Sequence, residues 1–542
     1  MKALLVGFAL VGLTATPALA QPTPSTPDHP STIGQAPSTI DQAPSTPGQD
    51  LGTPDQSPGT PGQDPGMAGQ GLSAAGFGHG RAVHVDCQSR KAPKGTVGRP
   101  LNSLAQVNAL ALRPGDRVSF KRGSTCTGAL APQGSGRAGA PIRIDAYGRG
   151  AKPRIQGGGA DDAVKLHNQQ HWEIANLDVA NTGATAGKRR GVRISARDAG
   201  TLRHIVLRDL DVHDVNGDDS KDEYGSAGIT MWVEGNTTPT LFDDVLITGN
   251  TVKSVDRSGI FLFSTWNLSG WGREPGNRHV PWTGVKVERN TVTDVGGDGI
   301  VLGSVTGAVA EHNRVHGFQR RSQGYSVGLW THNSDNVVIQ FNEVSGGETT
   351  RDGMSFDVDE NGFGTVFQYN RSHDNQGGFL LLCNAAGKIK DAVVRYNLSV
   401  NDHFRGVENC SGGIESAAIY NNTFVIGDGV TQTVINENNA NPRNVLFANN
   451  IVVTRGTGKA VFNLRSGGYK LENNLLNGVA VPDGAIGTVT GDPLLTGEGK
   501  LQQGSPALQK GREIAANGGR DHFGNPVTCT PDIGMHQLTT CN

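Results

Sequence analysis

From about Val245 onward one pattern of apolar and polar positions recurs along the chain. A short run alternates apolar with polar residues, then come an Asn, a second apolar run, a polar turn and a Gly-led apolar stretch. VLITGNTVKSVDRSGIFLF, VKVERNTVTDVGGDGIVLG, VVIQFNEVSGG and AVVRYNLSVND are four instances. Alternation with period two is the mark of a β-strand with one face buried. The Asn residues fall at 250, 290, 313, 342, 370, 397, 422, 450 and 474. After a first gap widened by an insertion, they are spaced 23 to 29 residues apart. A period of this size, with no helical pattern for a crossover, marks an all-β solenoid. The simplest architecture is a parallel β-helix with one coil per repeat and equivalent positions stacked about 4.8 Å apart.

Stacking can be checked within the sequence. Cys383 follows Asn370 by thirteen residues and Cys410 follows Asn397 by thirteen, so the two occupy equivalent places in neighbouring coils, at a separation that suits a disulfide. The Asn column has a structural reading too, because stacked amides can donate to and accept from one another.

Upstream the texture differs. Residues 1–20, MKALLVGFALVGLTATPALA, have a Lys, an apolar centre and a small-x-small end, the layout of a cleavable secretory signal. Residues 21–80 are rich in Pro, Ser, Thr and Gln and nearly free of large apolar side chains, so a disordered linker is expected there. From 81 to 542 the β-helix domain is expected, with the N-terminal cap and first strands over 81–160 and a C-terminal cap over 480–542. LNSLAQVNALAL predicts a short cap helix. No later apolar run approaches the length of a membrane span and no Cys stands at the signal junction to take a lipid, so a secreted or periplasmic protein without membrane insertion is expected. In that oxidising setting the six cysteines read as three local pairs: Cys87–Cys126, Cys383–Cys410 and Cys529–Cys541.

Composition narrows the function. Seventy-seven glycines and 6% aromatics suit many short strands and turns. Forty-eight basic against fifty acidic residues give a formal charge of -2, which removes the basic field that draws nucleic acid. A monomer is expected.

The chain resembles the secreted right-handed parallel β-helix proteins of the pectate-lyase-like superfamily. The likeness runs from about Arg81 to the C-terminus. It rests on PGDRVSFKRGSTCTGALAPQGSGRAGAPIRIDAYGRGAKPRIQGGG, the stacked Asn turns, and the closing GDPLLTGEGKLQQGSPALQKG and RDHFGNPVTCTPDIGMHQ. It implies activity on polysaccharides as a lyase, hydrolase or epimerase. In such proteins an acidic DG-containing coil similar to RDGMSFDVD supplies cation ligands, which carries to Asp352, Asp357 and Asp359 and makes Ca2+ the expected ion.

The candidate site follows from strand alternation. In GMSFDVDE, Met354, Phe356 and Val358 are expected inside, which sends Ser355, Asp357 and Asp359 outward after Asp352 at the turn. Trp330 and His332 of the preceding coil should stack near Asp357 and Asp359. Leu380, Leu382 and Asn384, with His373 and Asp374 in the leading turn, are expected on the next coil's outer face, and Arg405, Glu408 and Asn409 on the one after. The insertion STWNLSGWGREPGNRHVPWTG carries Trp266, Trp271, Trp282, Arg273, Arg278 and His279, and with Trp232 these suit a sugar platform, since indoles stack on sugar rings and Arg forks grip carboxylates. The expected reaction is β-elimination on a uronate-containing polysaccharide. Asp357, Asp359, His332, His373 and Arg405 are the candidate catalytic groups, with Lys388 a further candidate base. Trp232, Trp266, Trp271, Trp330, Arg273 and Glu408 are the candidate substrate-binding groups. Two alternatives stand beside it: a glycoside hydrolase using Asp357 with Asp359 or Glu408, and a noncatalytic carbohydrate-binding or surface β-helix.

Overall fold

The structure is a computed structural model that describes residues 80–221, 225–269, 278–384, 387–410, 412–438, 441–527 and 530–538. The expected signal and nearly all of the linker, together with Trp271, Arg273, Cys529 and Cys541, lie outside the described residues.

Short alternating runs separated by turns fold into a parallel β-helix. Among the described residues two sheets have fourteen strands each, from Ala82–Val85 to Tyr469–Glu472 and from Thr125–Thr127 to Val489–Thr490. The third has eleven, from Asp162–His167 to Lys459–Asn463. Successive coils pair in parallel and in register, as in Trp330 beside Asp357 and Leu381 beside Glu408. Inward Val, Ile, Leu and Phe side chains form one continuous core along the axis. The cap helix spans Leu104–Asn108, begun by Ser103, whose hydroxyl accepts from the Gln106 N–H.

The Asn column sits inside the turn between the first two sheets. Asn342 is typical: its Oδ1 accepts from the backbone N–H and Nδ2 of Asn313 at 2.9 and 3.0 Å, and its Nδ2 donates to Asn370 Oδ1 and the Ala310 carbonyl, each at 3.0 Å. The same exchange runs unbroken from Asn250 to Asn474. Residues just before ladder members, such as Phe341, Tyr369 and Tyr396, have φ between 52° and 59°. The ladder makes up for that left-handed backbone by satisfying every turn's polar groups.

Cys383 and Cys410 are bonded across adjacent strands with Cα atoms 4.8 Å apart, and Cys87 and Cys126 with Cα atoms 5.2 Å apart. Among the described residues no helix is long and apolar enough to cross a membrane.

Candidate active site

The site lies on the outer face of the eleven-stranded sheet. Its floor is apolar: Trp232, Phe261, Phe263, Val301, Trp330, Met354 and Leu381 form a cluster separate from the axial core and packed against the Cys383–Cys410 bridge. One outward row, read across the strands, is Phe261, Val301, Trp330, Asp357, Leu381 and Glu408. Over this floor lies a cleft with two joined lobes of about 640 and 430 Å³. Lys221, Tyr325, Trp330, Asp359 and Glu360 line both. Asp219, Arg257, Ser269 and His332 complete the larger, and Asp352, Asp357, Arg405, Glu408 and the disulfide the smaller.

Local sequence explains how the acids are held. Asp352 and Gly353 have φ of 57° and 63°, a left-handed pair that turns the chain into the strand Met354–Val358. A Cβ on Gly353 would collide with the Thr349 carbonyl, so only glycine serves there. Arg405 fixes this turn from the other side, donating to the carbonyls of Asp352 at 2.8 Å, Gly377 at 3.1 Å and Thr350 at 3.2 Å while pairing with Glu408 at 3.7 Å. Asp359 ends the strand, accepting from the Glu360 N–H at 2.7 Å, and its own N–H donates to the Thr331 carbonyl.

Burial governs the protonation of these groups. It pushes Asp352 up to about 6, with Lys221 and Arg405 pulling back. It pushes Asp359 up to about 7, opposed by the Glu360 N–H. Asp357, at 3% exposure, goes well above the ordinary carboxylate range through burial and then the charges of Asp359 and Asp352. Asp352 and Asp359 remain partly open to the cleft, whereas Asp357 is buried between them.

Several expectations need correction. The alternation breaks at Ser355: Met354 joins the outer floor, and Ser355 turns inward to bond Ser372 at 2.6 Å and Asn375 at 2.7 Å in a buried polar network. Leu380 and Leu382 belong to the axial core, with Leu381 and Cys383 outside; Asn409, beside Leu382, accepts from the Tyr469 hydroxyl. Trp266 and Trp282 are not a platform. Both are buried in the axial core, Trp282 packing edge-on against Phe242, because an indole is as good a core filler as a sugar-stacking surface. Trp232 does lie on the outer face, covered at 3% exposure. His373 sits in another sheet, paired with Glu343 and Asp374, and Lys388 pairs with Glu415 in a separate three-stranded ribbon. His332 lines the larger lobe, but burial drives its pKa down to about 3, so it is a neutral imidazole and a weak base. Arg405, saturated by carbonyls and Glu408, is a positioning group. Glu408 is buried, its pKa raised by burial, and receives the Asn436 amide at 2.6 Å. Among the described residues no group of three or more His, Cys, Asp or Glu side chains is arranged to hold a metal ion.

Other groups were not legible. Asp298, within GGDG, reads as a turn residue, yet it is fully buried, accepts from Trp330 Nε1 at 3.0 Å and pairs with Arg257 at 3.2 Å. Lys221 places Nζ 3.5 Å from Asp298 and 4.6 Å from the Trp330 ring. Tyr325, 66% exposed, stands at the mouth. Lys221 and Tyr325 come from loops outside the repeat, which coil register does not place.

Paired, partly open carboxyls on a rigid sheet over an apolar floor define a carbohydrate-type cleft on a parallel β-helix. A family model described as a right handed beta helix region matches residues 227–424, and the chain is a right-handed parallel β-helix protein. It is similar to a lacto-N-biosidase of Bifidobacterium longum subsp. longum, 26% identical over 525 residues that cover 78% of this chain and 32% of the relative. The chain therefore spans about a third of the length of that curated relative. The crystal structure of a GH136 lacto-N-biosidase from Eubacterium ramulus superposes with a TM-score of 0.59 at 25% identity, covering 71% of this chain and 68% of that one. XylC in complex with xylose shares the fold at 11% identity, TM-score 0.51, covering 84% and 98%.

Proposed function

We propose that the protein is a glycoside hydrolase acting on neutral oligosaccharides of the lacto-N-bioside type, with Asp352 and Asp359 as the carboxyl pair that cleaves the glycosidic bond. The carrying observation is that these two acids, alone among the strongly shifted carboxyls of the cleft, combine partial openness with titration near neutrality, at about 6 and about 7. Hydrolysis needs one carboxyl to protonate the leaving oxygen and a second, ionised, to act as nucleophile or to activate water. Near pH 6.5 Asp352 is then largely ionised while Asp359 keeps its proton, one carboxyl in each of the two required states. Tyr325, exposed at the mouth, offers a ring face to the sugar, while Trp330 lines the floor beneath Lys221.

Charge supports the hydrolase over the lyase expectation. Elimination from a uronate must neutralise the substrate carboxylate and supply a base. Here Asp219, Asp352, Asp357, Asp359, Glu360 and Glu408 line the cleft against only Lys221, Arg257 and Arg405, and both arginines are committed to internal partners. Such a surface leaves Lys221, rather than either arginine, as the chief cation to neutralise a uronate carboxylate. The likeness to proteins named as lacto-N-biosidases points the same way.

Incubation with the p-nitrophenyl β-glycoside of lacto-N-biose and with a panel of uronate polymers tests the reading. Nitrophenol and new reducing ends are expected from the first and no unsaturated product from the second; the reverse result would restore the lyase. No step runs through a metal ion, so protein treated with EDTA is expected to keep its activity. Loss with EDTA that Ca2+ repairs would return the cation to the site.

A further inference from the structure

The buried acid between the working pair has no role in the chemistry above. Asp357 Oδ1 is buried and has no hydrogen-bond partner. An orphaned polar atom under an apolar floor is costly, and a native fold keeps one where something outside the chain satisfies it. The side chain lines the smaller lobe, in the row between Trp330 and Leu381, so the space it faces is the cleft itself. Neighbouring cations do not serve it: Arg405 is spent on three carbonyls and Glu408, and Lys221 lies against Asp298 and Trp330.

We propose that Asp357 is a substrate-selecting residue, whose unpartnered oxygen takes part in a hydrogen bond to a polar group of the neutral sugar lying between Asp352 and Asp359. This rests on the hydrolase reading for the identity of the sugar. Burial and the two flanking acids keep the carboxyl protonated, so it binds as a neutral group with one donor and one acceptor and suits an uncharged sugar oxygen. A sugar lacking a group at that point would leave the buried acid unpaired and be rejected, the kind of site that discriminates most strongly.

The test compares wild type with Asp357→Ala and Asp357→Asn, measuring kcat and KM on p-nitrophenyl lacto-N-bioside, the Kd of lacto-N-biose by calorimetry, and the thermal midpoint. Ala is expected to raise KM and Kd about 10- to 100-fold, the loss falling on KM rather than kcat. Asn, which keeps a donor and an acceptor without charge, should recover most of that loss. The inference is overturned if Ala leaves KM and Kd unmoved, or if Asn is as damaging as Ala and the damage lies in kcat, which would make Asp357 a charge-bearing catalyst. Wild type that binds lacto-N-biose without hydrolysing the glycoside, with binding weakened in the Ala variant, would sink the hydrolase reading and leave this one standing. Wild type that does neither would overturn both.

Discussion

Asp359→Asn, and separately Asp352→Asn, is expected to lower kcat on a lacto-N-bioside by about a thousandfold, the middle of the range for removing a positioned acid or base. Asn preserves shape and hydrogen bonding but can neither give up a carboxyl proton nor carry the charge. The variants should also differ from wild type in stability, with a sign the site dictates. Both carboxyls have folded-state pKa values, about 6 and about 7, above the ordinary carboxylate value of 3.8. The stability they contribute is therefore fully present below about pH 4 and is lost as pH rises through 6 and 7. At pH 8 wild type carries at position 359 a largely buried charge that the Asn variant lacks. Asp359→Asn should thus melt higher than wild type at pH 8 and about level with it at pH 4, while being nearly inactive at both. A variant that loses activity and melts lower at pH 8 would mean that Asp359 supports the fold rather than the chemistry.

The second large effect is structural. Asn342→Ala removes one rung of the ladder: it strands the backbone N–H of Asn313 inside a turn and takes one partner each from the Asn313 amide, the Ala310 carbonyl and Asn370 Oδ1, which still accepts from the residue 342 N–H. Losing several buried hydrogen bonds at once is expected to cost about 3–5 kcal/mol. Each coil contacts chiefly its neighbours, so a break in the middle of the stack also weakens cooperation between its halves. Guanidinium unfolding should show a lower midpoint and a broadened or two-step transition. Lys459→Ala, at an exposed edge position, serves as the control and should change little. A loss below about 1 kcal/mol for Asn342→Ala would mean that water or relaxation satisfies the turn and the ladder is incidental.

What the sequence disclosed follows from what repetition can encode. The coil period, the Asn column and the Cys383–Cys410 bridge were legible because a solenoid stacks identical positions, so spacing along the chain becomes distance in space. Asp357 beside Trp330 was legible for the same reason. The rule failed where the repeat is broken. Ser355 turns inward because a hydrogen-bonded network with Ser372 and Asn375 outweighs strict alternation, and that flips Met354 outward. Trp266 was misread because spacing does not separate a ring that fills a core from one that meets a sugar. Lys221 and Tyr325 reach the cleft from loops of irregular length, and Asp298 pairs with Arg257 one coil away, across the interval widened by the insertion. The face of the site was therefore readable, and the carboxyl pair proposed for it was not, since openness and burial decide between neighbouring acids.

The pH dependence of kcat/KM on p-nitrophenyl lacto-N-bioside puts the central claim, an ionised Asp352 working with a protonated Asp359, to its most direct test. In the free protein activity should rise as the first proton leaves near pH 6, fall as the second leaves near pH 7, and peak between them. Either limb should vanish or move in the Asn variants. A rate that keeps climbing through pH 8 to a plateau would contradict the account, because a cleft with both acids ionised would then be the active form.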